Sequence, residues 1–80
     1  MQKNDYLEWL THWFRKRMDI PTDAIYRDFF EERWLDSFKT IELITEIEKS
    51  FNLTLTDSVF SDPRFSTIVG LSEILLEITT

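Results

Sequence analysis

The chain lacks cysteine altogether and has one glycine and two prolines among its 80 residues. With no thiol it can form neither a disulfide nor a thiolate metal site, so packing alone must hold it together. A single domain, residues 1–80, is the only organisation such a length supports, near the small end of what can bury a core unaided. So few glycines and prolines leave few breaks, and no internal repeat is visible. Positive charge is also scarce. Nine Lys and Arg stand against fifteen Asp and Glu, a formal net charge of −6, which argues against a phosphate-backbone ligand, since nucleic-acid domains carry a basic patch. One histidine beside carboxylates offers no metal-ligand cluster, so no metal is expected. No apolar run approaches membrane-spanning length, and Met1 to Asp5 contain no apolar signal core. The expectation is a cytoplasmic protein that meets neither nucleic acid nor membrane.

What is abundant is aromatic: seven Phe, three Trp and two Tyr, each able to bury a large apolar area. Periodicity then divides the chain. From Asp5 to about Met18, the residues Tyr6, Leu7, Leu10, Trp13, Phe14 and Met18 recur at helical spacing. Asp5 and Glu8 suggest a capping box, Arg15 to Arg17 suit the negative end of the helix, and His12 falls on the surface side. Residues 19–35 form a long connection too apolar to be free, with a turn of helix expected near Asp23–Phe29. A second helix runs from Ser37 to about Phe51, capped by Asp36 or Ser37. Its apolar residues Phe38, Ile41, Leu43, Ile44, Ile47 and Phe51 span more than one stripe, as in a central helix touching several neighbours. Asn52 suits a left-handed end, residues 53–56 read as an extended loop, and Thr56 or Asp57 caps a short helix through Phe60. Ser66 is the expected cap of a last helix, Thr67 to about Ile78. The predicted fold is all-α: three longer helices and one short one, with a long first loop. Its predicted core is Leu7, Leu10, Phe14, Ile41, Ile44, Ile47, Phe51, Ile68, Leu71 and Leu75. Gly70 within the last helix suggests a close backbone approach.

Asp36-Ser37-Phe38 places a hydroxyl at the positive end of a helix dipole, where an attached phosphate is electrostatically welcome. With Thr40-Ile41-Glu42-Leu43-Ile44 and Ile47-Glu48 along the following helix, the chain resembles the acyl and peptidyl carrier proteins. The order of elements extends that resemblance over nearly the whole chain. It departs from the family in two places. Many members have a glycine shortly before the Asp-Ser pair, where this chain has Arg33, Trp34 and Leu35. Fatty-acid carriers commonly have an acidic residue where Lys39 stands, which suggests a specialised, free-standing acyl or aminoacyl carrier.

The resemblance implies a 4'-phosphopantetheine arm joined covalently to Ser37, with Asp36 as its motif neighbour. The arm's thiol would hold an acyl or aminoacyl group as a thioester. The implied partners are a phosphopantetheinyl transferase, an acyl- or aminoacyl-activating ligase, and a downstream transferase or synthase, all meeting a monomer. Phe38, Glu42 and Glu48 are the candidate recognition residues around the arm. No enzyme is expected. Asp36 and Ser37 are adjacent at one helix end, away from His12, so they cannot form a triad with it. The alternative is a helical interaction module of the same fold that carries no arm.

Overall fold

In the computed structural model, which describes residues 2–80, the first helix, α1 (Lys3–Arg17), begins two residues earlier than its apolar periodicity suggests. The cap is Gln2, whose backbone N–H donates to the Asp5 carboxylate at 2.9 Å, so Asp5 closes the first turn and the Asp5–Glu8 box does not form. A single 3-10 turn, Ala24–Tyr26, interrupts the long connection. It is followed by α2 (Ser37–Phe51), the short α3 (Asp57–Phe60) and α4 (Ile68–Thr79). This is the expected all-α bundle, and residues 53–56 are extended between helices as read. Asn52 ends α2 in the left-handed conformation, φ 53°, with its N–H returned to the Glu48 carbonyl.

The core forms where α1, α2 and α4 converge. Tyr6, Leu10, Phe14, Leu43, Ile47, Ile68, Leu71 and Leu75 are essentially sealed from solvent. Polar ties hold α1 against its neighbours. Tyr6 donates its hydroxyl to Thr79 Oγ1 at 2.7 Å, and Lys3 pairs with Glu73, both on α4. Toward α2, the Trp13 indole N–H donates to Glu46, and Arg17 reaches the same carboxylate at 2.7 Å while lying over the Trp13 ring. Glu46 therefore bridges α1 and α2.

Further expectations are corrected in the cap of α4 and in the core. Thr67, not Ser66, caps α4: its Oγ1 accepts the Gly70 N–H at 2.9 Å, while Ser66 donates to the Pro63 carbonyl. Ile41 is 65% exposed and is no part of the core, and Phe38 is 72% exposed. Both lie roughly 140–160° around α2 from the line through Leu43 and Ile47, too far for one packed face to cover. The broad apolar arc of α2 thus leaves part of itself in water rather than touching another neighbour. Leu7, Ile44 and Phe51 are half-buried, packed at the edge of the core, and Ile78 is exposed.

Gly70 is buried because a Cβ there would come within 2.3 Å of the Arg64 carbonyl, so the close approach is to the α3–α4 connection rather than to another helix. Arg64 clamps that connection, pairing with Asp62 and with Glu77 of α4. Hydrogen bonding to Arg64 holds both carboxyls below the usual carboxylate range. A depressed folded pKa gives stabilisation that is present above the ordinary value and fades as pH falls through the depressed one. The clamp is therefore intact at neutral pH and weakens in acid.

The contrast along α2 is testable by chemical denaturation. Ile47→Ala should cost roughly 2–5 kcal/mol by leaving a cavity. Ile41→Ala should stay within about 0.5 kcal/mol of wild type, as an exposed substitution does. Equal losses at both positions would contradict the helical phase described here.

Candidate functional site

The approach to Ser37 is built by the turn before it. Asp28 Oδ1 accepts the backbone N–H groups of Phe30 and Glu31 at 2.8 and 3.0 Å, which starts a helical turn. That turn ends with the Arg33 N–H donating to the Phe30 carbonyl and the Trp34 N–H to the Phe29 carbonyl. These two bonds, with Arg33 at φ 62°, constitute a Schellman motif, whose left-handed position glycine most often fills. Arg33 stands there at a steric cost. Reversal at Arg33 lets the Leu35 N–H reach the Phe29 carbonyl as well, buries Leu35 at 5% exposure, and delivers Asp36 to the start of α2.

Asp36 is extended, φ −107°, and its Oδ1 accepts the Lys39 N–H at 2.8 Å. Thr40 donates both its N–H and its hydroxyl to the Asp36 carbonyl. Asp36 is thus the cap that the motif suggested, and its carboxylate is engaged by the helix itself. Ser37, the first residue of α2, is exposed, and its hydroxyl makes no hydrogen bond to another described residue. The N–H groups of Ser37 and Phe38 have no intrahelical acceptor, as the first two of any helix do not. They face the same end of the dipole as that hydroxyl, an arrangement suited to a phosphate joined to Ser37 Oγ. The residues present fit such a group.

The candidate recognition residues separate. Phe38 is beside Ser37 and exposed. Glu42 is exposed but turned about 140° around the helix from Ser37. Glu48 lies on the stripe of Ser37 about 16 Å further along, and it is committed: its Oε2 accepts the Leu55 N–H at 2.8 Å, fastening the loop after α2. That bond gives Glu48 a structural task. Missing from the sequence reading are the residues that share a surface with Ser37. A groove of about 510 Å³ is lined by Phe30, Leu35, Asp36, Ser37, Thr40 and Ile41. Helical periodicity places Ile41 in the core, and the sequence pattern places Phe30 only in the long connection. The available signal was Ile41's position one turn beyond Ser37, on the same side. Among the described residues, no group of three or more His, Asp or Glu is placed to hold a metal.

Compared with known proteins, residues 8–75 match the family described as "Phosphopantetheine attachment site". The chain is 34% identical over 61 residues to a D-alanyl carrier protein of Streptococcus mutans serotype c, covering 71% of this chain and 77% of that protein. No solved structure matches the chain.

The left-handed turn makes a specific prediction about stability. Arg33→Gly should be neutral or stabilising by up to about 1 kcal/mol, because strain relief outweighs the added chain entropy. Arg33→Val, β-branched and poorly tolerated at positive φ, should destabilise. Thermal melts of the two variants check it; an Arg33→Gly loss larger than that of Arg33→Val would contradict the turn geometry.

Proposed function

The chain belongs to the phosphopantetheine attachment-site family, and on that premise we propose that Ser37 is the residue to which the arm is joined. The protein is a carrier and not a catalyst. The observation that supports Ser37 is its exposed, uncommitted hydroxyl at the first position of α2, behind a cap supplied by Asp36. The family's group is held covalently on a serine. When present it supplies a thiol that can form a thioester, which is why a thioester carrier can lack cysteine. This chain's own residues anchor the phosphate end and present a surface to enzymes that do the chemistry.

The partners we infer are a phosphopantetheinyl transferase, a ligase that charges the thiol, and a downstream transferase or synthase, each acting on a monomer in the cytoplasm. The relative's name points to an aminoacyl cargo, and Lys39 in the first turn of α2 fits a carrier outside the fatty-acid system. Among the described residues, no helix is long and apolar enough to cross a membrane.

Incubation with coenzyme A and a transferase should add the mass of one phosphopantetheine to wild type and nothing to Ser37→Ala. Continued modification of the variant would overturn the assignment, and an unmodified wild type would favour the arm-free interaction module. Loss of the Ser37 hydroxyl should leave the fold intact, since Asp36 and not Ser37 supplies the cap.

Recognition should depend more on Phe38 than on Glu42. Phe38→Ser should lower transferase kcat/KM about tenfold, the scale of a truncated aromatic anchor. Glu42→Lys should produce a smaller deficit that shrinks as salt rises, because a rim charge acts through association rate. A Phe38→Ser variant as fast as wild type would remove Phe38 from the recognised surface.

A further inference from the structure

We propose that the cargo is carried outside the helical core, with the arm lying in the groove walled by Phe30, Leu35, Thr40 and Ile41, and that the cargo class is correspondingly short acyl or aminoacyl groups. This rests on Ser37 as the attachment point and specifies where that arm goes.

The first support is the tether. Ser37 itself lines the groove, so an arm joined to its hydroxyl begins there. The second is chemical match. Phe30 is 41% exposed and Ile41 is 65% exposed, two large apolar side chains left in water on either side of one serine. Single exposed apolar residues are ordinary, but a contiguous group beside an attachment point marks a contact surface. The gem-dimethyl segment of pantetheine follows directly on its phosphate, so it falls against these two side chains when the phosphate is on Ser37.

The third support is the state of the interior. Leu35 is the groove's one fully buried wall, and behind it stands Phe29, 0% exposed, whose carbonyl accepts the Leu35 N–H. The Phe29 ring stacks on Phe14 at 5.4 Å between centroids and meets Phe30 and Phe65 edge-on at 4.9 and 6.2 Å. Phe60 continues the cluster against Phe65 at 5.5 Å. A long acyl chain entering the core from the groove past Leu35 would have to displace these rings. Close-packed interiors resist added methylenes, because side chains are forced from their preferred rotamers. An open groove makes no such demand, and it leaves the thioester accessible to a partner. A short cargo asks for nothing more.

The test loads the full chain with acetyl- and octanoyl-coenzyme A through a transferase and confirms one addition at Ser37 by peptide mass. Methyl and aromatic NMR and thermal melts then compare apo and loaded forms. Loading should move the Ile41 and Thr40 methyl and Phe30 ring signals, leave Leu43, Ile47, Leu71 and Leu75 in place, and give acetyl and octanoyl forms the same melting temperature. Ile41→Ser, once loaded to completion, should lose the shift at Phe30. Core shifts or stabilisation that grow from acetyl to octanoyl would overturn the proposal, as would loading without any shift at Ile41 and Phe30. No added mass at Ser37 would instead overturn the attachment assignment on which the proposal rests.

Discussion

Phe29 is the residue through which the long connection becomes part of the fold. Its N–H donates to the Ser66 carbonyl at 2.8 Å, pinning the connection to the segment that leads into α4. Its carbonyl accepts from both Trp34 and Leu35, closing the turn that precedes Asp36. Its ring is sealed from solvent and stacked on Phe14 of α1. One residue therefore ties together α1, the approach to α4 and the start of α2, through backbone and side chain at once. A connection of this length would otherwise carry a large ordering cost with little to offset it. Here the loop's aromatic residues serve as core, which is how a cysteine-free domain of this size holds an attachment site at a fixed place.

The start of α2 is held by a different kind of constraint. The Asp36 carboxylate satisfies the Lys39 N–H, and the Asp36 carbonyl takes both donors of Thr40. Ser37 is consequently positioned by groups other than its own hydroxyl. A modifiable hydroxyl needs this separation, because a serine that capped its own helix would lose that bond when esterified. The negative charge of the whole chain is not concentrated here. Arg33 and Lys39 flank Ser37 alongside Asp36, and the Glu48 carboxylate is tied to the Leu55 N–H. Apolar contact from Phe38, Ile41 and Phe30 is the more conspicuous property of this surface.

The order of helices, the left-handed Asn52 and a cap at Asp36 or Ser37 were legible in the sequence, because each is a local rule acting over a few residues. Which way α2's apolar arc faces was not. Periodicity identifies Phe38, Ile41, Leu43 and Ile47 as one apolar set, but only packing partners decide which of them are covered. The Schellman turn at Arg33 was hidden for a related reason. Its usual signature is a glycine, and here the turn closes on Phe29, itself pinned to Ser66 and stacked on Phe14, with an arginine in the left-handed position. The bridge from Glu46 to Trp13 and Arg17 of α1 likewise turns on three-dimensional neighbours. The groove beside Ser37 sets Phe30 against the first turns of α2, and the reversal at Arg33, not residue spacing, brings them together.

Backbone strain and exposed apolar side chains coincide around Ser37. A left-handed arginine at 33, an exposed phenylalanine at 38 and an exposed isoleucine at 41 fall within nine residues centred on Ser37. Elsewhere Tyr26, Phe60 and Ile78 are exposed too, but without a strained backbone beside them; Asn takes the other left-handed position, and ion pairs tie α4 to α1 and to the α3–α4 connection. Strain and exposed apolar surface lower stability, so their concentration needs a local benefit to offset it. An arm and the enzymes that load and unload it supply that benefit in the form of buried contact, available only when the arm or a partner is present. The segment 33–41 is thus least well satisfied when the protein is alone, which is the condition expected of a surface built to be covered by something else.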